Sequence, residues 1–123
     1  MIKKIYRLKE REVKKVLLKG KPFFSYGVVL NILENKLAYN RFAIVIGAKS
    51  VNNNITRNYF RRRFYDIIAN SGLLLDGTTS KLNGNAYYDF VFVLKKQTKL
   101  DKIDEKSINS FTNDINFIIK KVA

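Results

Sequence analysis

The chain has 123 residues, with 24 Lys and Arg against 10 Asp and Glu, for a net charge of +14. That length supports one domain with one core, and a 46% apolar share with a single Pro excludes a disordered tail or a fibrous repeat. Cysteine and histidine are both absent, which removes disulfides, thiolate sites, the commonest general base and the commonest metal ligand.

A charge of +14 makes a compact fold repel itself, so a polyanionic partner is its natural explanation. Nucleic acid comes first and an anionic membrane surface second. The start, Met1-Ile2-Lys3-Lys4, is basic with no apolar run of signal-peptide length after it. Nothing approaches the roughly 18 apolar residues of a membrane span, so a soluble, intracellular protein of the cytoplasm is expected.

From Leu8 to Leu18, Leu8, Val13, Val16 and Leu17 keep helical spacing between Lys and Arg, and Gly20 with Pro22 marks the stop. Phe23 to Leu33 reads as one strand and Phe42 to Ala48 as the next, together an antiparallel pair. Lys49 to Asn54 is a polar loop in which Asn53 or Asn54 suits an N-cap. Cationic side chains there would add to the free amides of the helix start as an anion site.

The stretch Asn54 to Ile68 follows, N-I-T-R-N-Y-F-R-R-R-F-Y-D-I-I. At 100° per residue Phe60, Phe64, Ile67 and Ile68 share one arc, wide enough for a core-facing stripe. Asn58, Arg61, Arg62 and Tyr65 share the next, with Arg57 on the boundary. Guanidinium groups meet phosphate oxygens two at a time and stay charged at any working pH. Asp66 is the only acid among them, so a phosphate-binding helix is favoured over a merely solvated basic face. The segment Asp76 to Asn85 has turn chemistry, Tyr87 to Leu94 should be a central strand, and Lys95 to Asp101 is a basic connection. A closing helix starts near Asp104, with Ile108, Phe111, Ile115, Ile118, Ile119 and Val122 as its core stripe. The order predicts one α+β domain over 1–123, a two-layer sandwich of helices on a mostly antiparallel sheet.

No catalytic constellation is visible. The acids are scattered, no phosphate-binding Gly loop is present, and no motif supplies a protein-borne nucleophile and base. Among the aromatics, Tyr26 and Tyr59 are flanked by polar residues and are better placed to stack an unpaired base than the Phe residues of the strands.

These residues carry a resemblance. Arg41-Phe42-Ala43-Ile44-Val45-Ile46, then Lys49, Arg57-Asn58, and Arg61-Arg62-Arg63-Phe64-Tyr65-Asp66-Ile67-Ile68 resembles the protein subunit of bacterial ribonuclease P. Arg7-Leu8-Lys9 with a basic helix looks like that family's opening, and Tyr88-Asp89-Phe90-Val91-Phe92-Val93 like its late strand. The resemblance implies a fold like domain 2 of ribosomal protein S5, with a left-handed βαβ crossover. It implies an endoribonuclease subunit that assists a catalytic RNA in removing the 5′ leader of precursor tRNA. The chemistry would lie with the RNA and its Mg²⁺, in a 1:1 ribonucleoprotein with monomeric protein, away from any membrane. Lys49, Arg57, Asn58, Arg61, Arg62, Arg63 and Tyr65 would then face RNA, with no catalytic or metal-binding residue in the protein. A cleft beside the first helix would hold the leader, with Lys9, Val13, Leu17, Phe23, Phe24 and Tyr26 as its candidates. The sequence departs from the family at Tyr59, usually basic, and at Gly47-Ala48, which replace most of a Ser-Lys-Lys loop. Val13, Leu17 and Asn31 stand where aromatics are frequent. A structural RNA-binding protein of ribosomal type and a self-sufficient protein nuclease are the rival readings.

Overall fold

A computed structural model describes residues 3–47, 51, 53–71, 87–95 and 104–122. Lys49, the segment 76–85 and most of the basic connection lie outside the described residues. After a short 3-10 turn at Lys4–Tyr6 come α1 (Glu10–Lys19), β1 (Lys21–Phe24), β2 (Val28–Glu34), β3 (Arg41–Val45), α2 (Asn54–Ala69), β4 (Tyr88–Leu94) and α3 (Glu105–Val122). The α+β class holds.

The single strand expected over Phe23 to Leu33 is a hairpin, β1 and β2, folded at Ser25-Tyr26-Gly27. The Ser25 amide donates to the Val28 carbonyl at 3.0 Å, and the Ser25 hydroxyl reaches the same oxygen at 3.0 Å. Periodicity missed this turn because apolar residues flank it on both sides. The sheet order is β1-β2-β4-β3, so β2 and β3 are not the antiparallel pair the sequence suggested. β4 lies between them, antiparallel to β2 and parallel to β3. The parallel step is what α2 makes possible, since such a connection needs a long crossover. Two of three pairings remain antiparallel, as expected.

Strand alternation then assigns the two faces. Val28, Leu30, Ile32, Phe42, Ile44, Phe90 and Phe92 point to one face and are buried under Phe60, Phe64 and Ile68 of α2 and Phe111, Ile115 and Ile118 of α3. Val16 of α1 is buried on the other face against Ala43 and Val91. The sheet is therefore covered on both sides, and the two-layer expectation is corrected to three. β4, flanked by strands and covered on both faces, is buried at every position except the half-buried Val93, which explains the apolar run Phe90 to Leu94.

Local chemistry fixes the helix ends. Asn53 Oδ1 accepts from the Ile55 amide at 2.8 Å and the Thr56 amide at 3.4 Å, so Asn53 is the N-cap of α2 rather than Asn54, the other candidate. α1 begins where the Lys9 amide donates to Glu12 Oε1 at 2.8 Å. It ends at Gly20, where an added Cβ would lie 2.5 Å from the Val16 carbonyl oxygen and 3.0 Å from that of Ile32. Glycine is needed there because two backbones meet, at an ordinary φ of −76°. Arg7 bridges to Phe42 and the Leu8 amide donates to the Phe42 carbonyl at 2.9 Å, so the opening segment covers the β3 edge and lies beside α2.

Candidate nucleic-acid interface

Residues three and four apart share a helix face, so Asn58, Arg61, Arg62 and Tyr65 come together on α2. With Arg7 from the opening segment they line a shallow basin of about 260 Å³. The Arg61 Nη1 donates to Asn58 Oδ1 at 2.6 Å, which orients the guanidinium along the helix surface. Arg62 is exposed and has no hydrogen bond or ion pair to a described residue. Among the described residues, no carboxylate lines the basin. Three guanidinium groups, Arg7, Arg61 and Arg62, therefore converge on one basin, as a phosphate site requires.

Tyr65 departs from the expectation of a surface contact, because it is only 7% exposed and belongs to the core. Burial pushes its phenol above the usual tyrosine range, and the charges of Arg7 and Arg61 offset this only in part. Its hydroxyl therefore stays a neutral donor beside the two guanidinium groups. Arg57 is turned to the helix entry, where Nη1 donates to the Val51 carbonyl at 2.8 Å and Nη2 to the Asn54 side chain. Arg63 lies on the α3 side, its Nε 3.4 Å from Thr112 Oγ1, in a separate depression with Asp66 and Asn70. The amides of Ile55 and Thr56 already serve Asn53, so the helix start offers less to an anion than the sequence implied. Lys49 lies outside the described residues.

The cleft residues divide in a similar way. On the α1 face the strand pairings align Phe24, Val29, Val93 and Val45 in one row. Phe24 is 57% exposed, and the three valines are half-buried. Val13 packs beside this row. Leu17, one turn later on the same side of α1, is 43% exposed. An apolar strip flanked by a helix is thus open to solvent. Asn31 lies on this face between Pro22 and Val91. Phe23 does not belong to it: it pairs with Leu30 and packs on the opposite, α2–α3 core, under the Lys21 ammonium at 5.5 Å. Alternation along β1 separates the two neighbouring phenylalanines. Tyr26 is 93% exposed at the hairpin tip. Lys9 stands at the start of α1, in a depression with Lys4, Ile5, Arg7 and Tyr39.

Sequence reading did not find the polar hub that fixes α1. Arg41 on β3 makes two parallel bonds to Asp89 on β4, Nε to Oδ1 at 2.9 Å and Nη2 to Oδ2 at 2.8 Å. Its Nη1 donates to Glu12 of α1. Asn35 adds a 2.8 Å bond to Asp89 Oδ1. Bonding to Asp89 holds the Arg41 guanidinium above its ordinary pKa, with burial opposing and Glu12 assisting. Burial pushes Glu12 up, but the Lys9 amide and Arg41 outweigh it, and the carboxyl sits below its ordinary range. A bidentate Arg–Asp pair joining parallel strands leaves no local periodic signal. Only the coincidence of charged residues in otherwise apolar strands hinted at it.

Among the described residues no group of three potential ligands converges on a metal site, and no helix is long and apolar enough to cross a membrane.

No curated protein matches the chain. Among solved structures, the fold is similar to a Staphylococcus aureus RNase P protein mutant with defective mRNA degradation activity, at a TM-score of 0.70 and 18% identity over 98% of this chain and 92% of that one. The RNase P protein from Thermotoga maritima is similar at a TM-score of 0.69 and 19% identity, over 95% and 97% of the two chains. Such identities speak for the fold. The family model described as Ribonuclease P matches residues 2–122. Spanning nearly the whole sequence, that match and the arginine-bearing helix it includes show that the chain belongs to the ribonuclease P protein family.

Proposed function

We propose that this chain is the protein subunit of a ribonuclease P, binding the catalytic RNA through α2 and the 5′ leader of precursor tRNA in the strip beside α1. The observation that carries this reading is the basin where Arg7, Asn58, Arg61 and Arg62 converge with no carboxylate among the described residues. Two polyanions repel when substrate meets catalytic RNA. Cationic side chains between them raise substrate affinity and lower the Mg²⁺ needed. We assign Mg²⁺ and the phosphodiester hydrolysis to the RNA, as the family resemblance implies. The protein acts as a monomer in a 1:1 particle, in the cytoplasm, and its β3–α2–β4 crossover takes the family's left-handed sense.

The strip of Phe24, Val29, Val93 and Val45 suits unpaired nucleotides, whose bases present apolar faces. With Val13 and Leu17 along α1, it offers less aromatic surface than stacking would favour. Leader binding by this chain therefore rests more on charge and shape.

Precursor tRNA cleavage at low Mg²⁺ tests the reading with protein alone, RNA subunit alone, and both. Stimulation only in the mixture is expected. Cleavage by pure protein would favour a protein nuclease, and no stimulation would favour a structural RNA-binding role. Arg61→Ala with Arg62→Ala should weaken binding of the RNA subunit and reduce the slope of log K against log salt by about 1.4–1.8, two phosphate contacts' worth. An unchanged slope would remove α2 from the interface.

A further inference from the structure

A second depression, of about 320 Å³, adjoins the α2 basin, and Arg7 lines both. Lys4 and Lys9 stand exposed on its rim. Ile5, 56% exposed, and Tyr39 give it an apolar wall. The Tyr39 ring is held edge-on by Tyr6 at 5.5 Å between centroids, so its orientation is set before any ligand arrives. The Glu12–Arg41 pair also lines it, with the Glu12 charge already met by Arg41 and the Lys9 amide. The volume is in the range of small-ligand sites. Cations around an apolar, aromatic wall are the chemistry of an unpaired nucleotide, which brings phosphate and a π-face together.

We infer that the RNA strand crossing the α2 basin continues past Arg7 and seats one unpaired nucleotide in this second depression, its base against Tyr39 and Ile5 and its phosphates between Lys4 and Lys9. This rests on the proposed RNA-subunit role and extends it to the opening segment, away from the apolar strip on the sheet. Arg7 lies at the junction, so the two basins bind one continuous backbone. Two kinds of contact should then separate experimentally, because phosphate contacts depend on salt and stacking does not.

The test is binding of the ribonuclease P RNA over a salt series by the full chain and five variants, one of them combining the lysine and arginine changes. Lys4→Ala with Lys9→Ala changes exposed side chains and should lower the salt slope by about 1.4–1.8, adding to the loss from Arg61→Ala with Arg62→Ala. Tyr39→Leu should lower affinity roughly 5- to 150-fold at every salt concentration with the slope unchanged, and Tyr39→Phe should restore it. Thermal melts of each variant identify any loss that is only unfolding. Parental slope and affinity in the lysine variant, with the RNA still bound, overturn the second basin while leaving the α2 assignment standing. Failure of the parent to bind this RNA, alongside binding of another structured RNA whose slope falls in the lysine variant, would leave the track in place and remove the ribonuclease P reading.

Discussion

The two faces of the sheet are built on different physics. Toward α2 and α3 the contact is a continuous apolar layer, with rings such as Phe64 and Phe92 packed edge to face at 4.9 Å. Toward α1 the apolar contact shrinks to Val16, Ala43, Val91 and partly buried neighbours. The helix is held at its start by Glu12, Arg41 and Asp89. The first face supplies most of the cohesion, since burying each large side chain contributes about 1.5–3 kcal/mol. The second trades cohesion for placement: a few directional bonds set where α1 lies, and part of the sheet beside it stays open.

If that division is right, the largest effect comes from the apolar face. Phe64 is fully buried, and Phe64→Ala should cost about 3–5 kcal/mol by leaving a ring-sized cavity. Urea unfolding would read this as a lower midpoint, with the loss spread over the whole molecule. A cost below about 1 kcal/mol would mean that α2 is not the main lid of the core.

Arg41→Ala should act on the other face and act locally. It strands Asp89, whose side chain is 8% exposed, and losing one partner of a buried pair costs about 3 kcal/mol or more. Some of that is relieved because Glu12 is 30% exposed and can rehydrate. Amide exchange should speed up in α1 well before it does in α3. Uniform acceleration across both helices would show that the hub is part of the global core.

The contrast also explains how far the sequence could be read. Phe60, Phe64 and Ile68 announced the buried side of α2, and Phe111, Ile115 and Ile118 that of α3, because helical period records which side meets the core. An N-cap at Asn53 or Asn54 and a central strand over Tyr87 to Leu94 were legible for the same local reasons, and the structure has Asn53 as the cap and the strand from Tyr88. Strand order was not, because β2 meets β4 across a gap no periodicity encodes. Nor was the hub legible: Arg41 and Asp89 are 48 positions apart. Of the site, the Asn58–Arg61–Arg62 arc was read from spacing. The inward turn of Tyr65 and Phe23 was decided by what happens to pack against them.

The smallest effect sharpens the comparison most, because it titrates one bond of the α1 face and none of the other. Glu12 has a folded-state pKa below its unfolded value. The carboxylate therefore contributes stability that is fully present above the unfolded pKa of about 4.3 and is lost as pH falls through the lower, folded value. Glu12→Gln lacks that contribution at every pH. The parent should be the more stable of the two at pH 7, and the gap should close as the medium is acidified below the ordinary carboxylate range. Parallel stability curves would mean that the Arg41 contact adds nothing to the folded state. Because Phe64 packs within an apolar layer and does not touch the Glu12 contact, Phe64→Ala should shift the whole curve down without changing this gap.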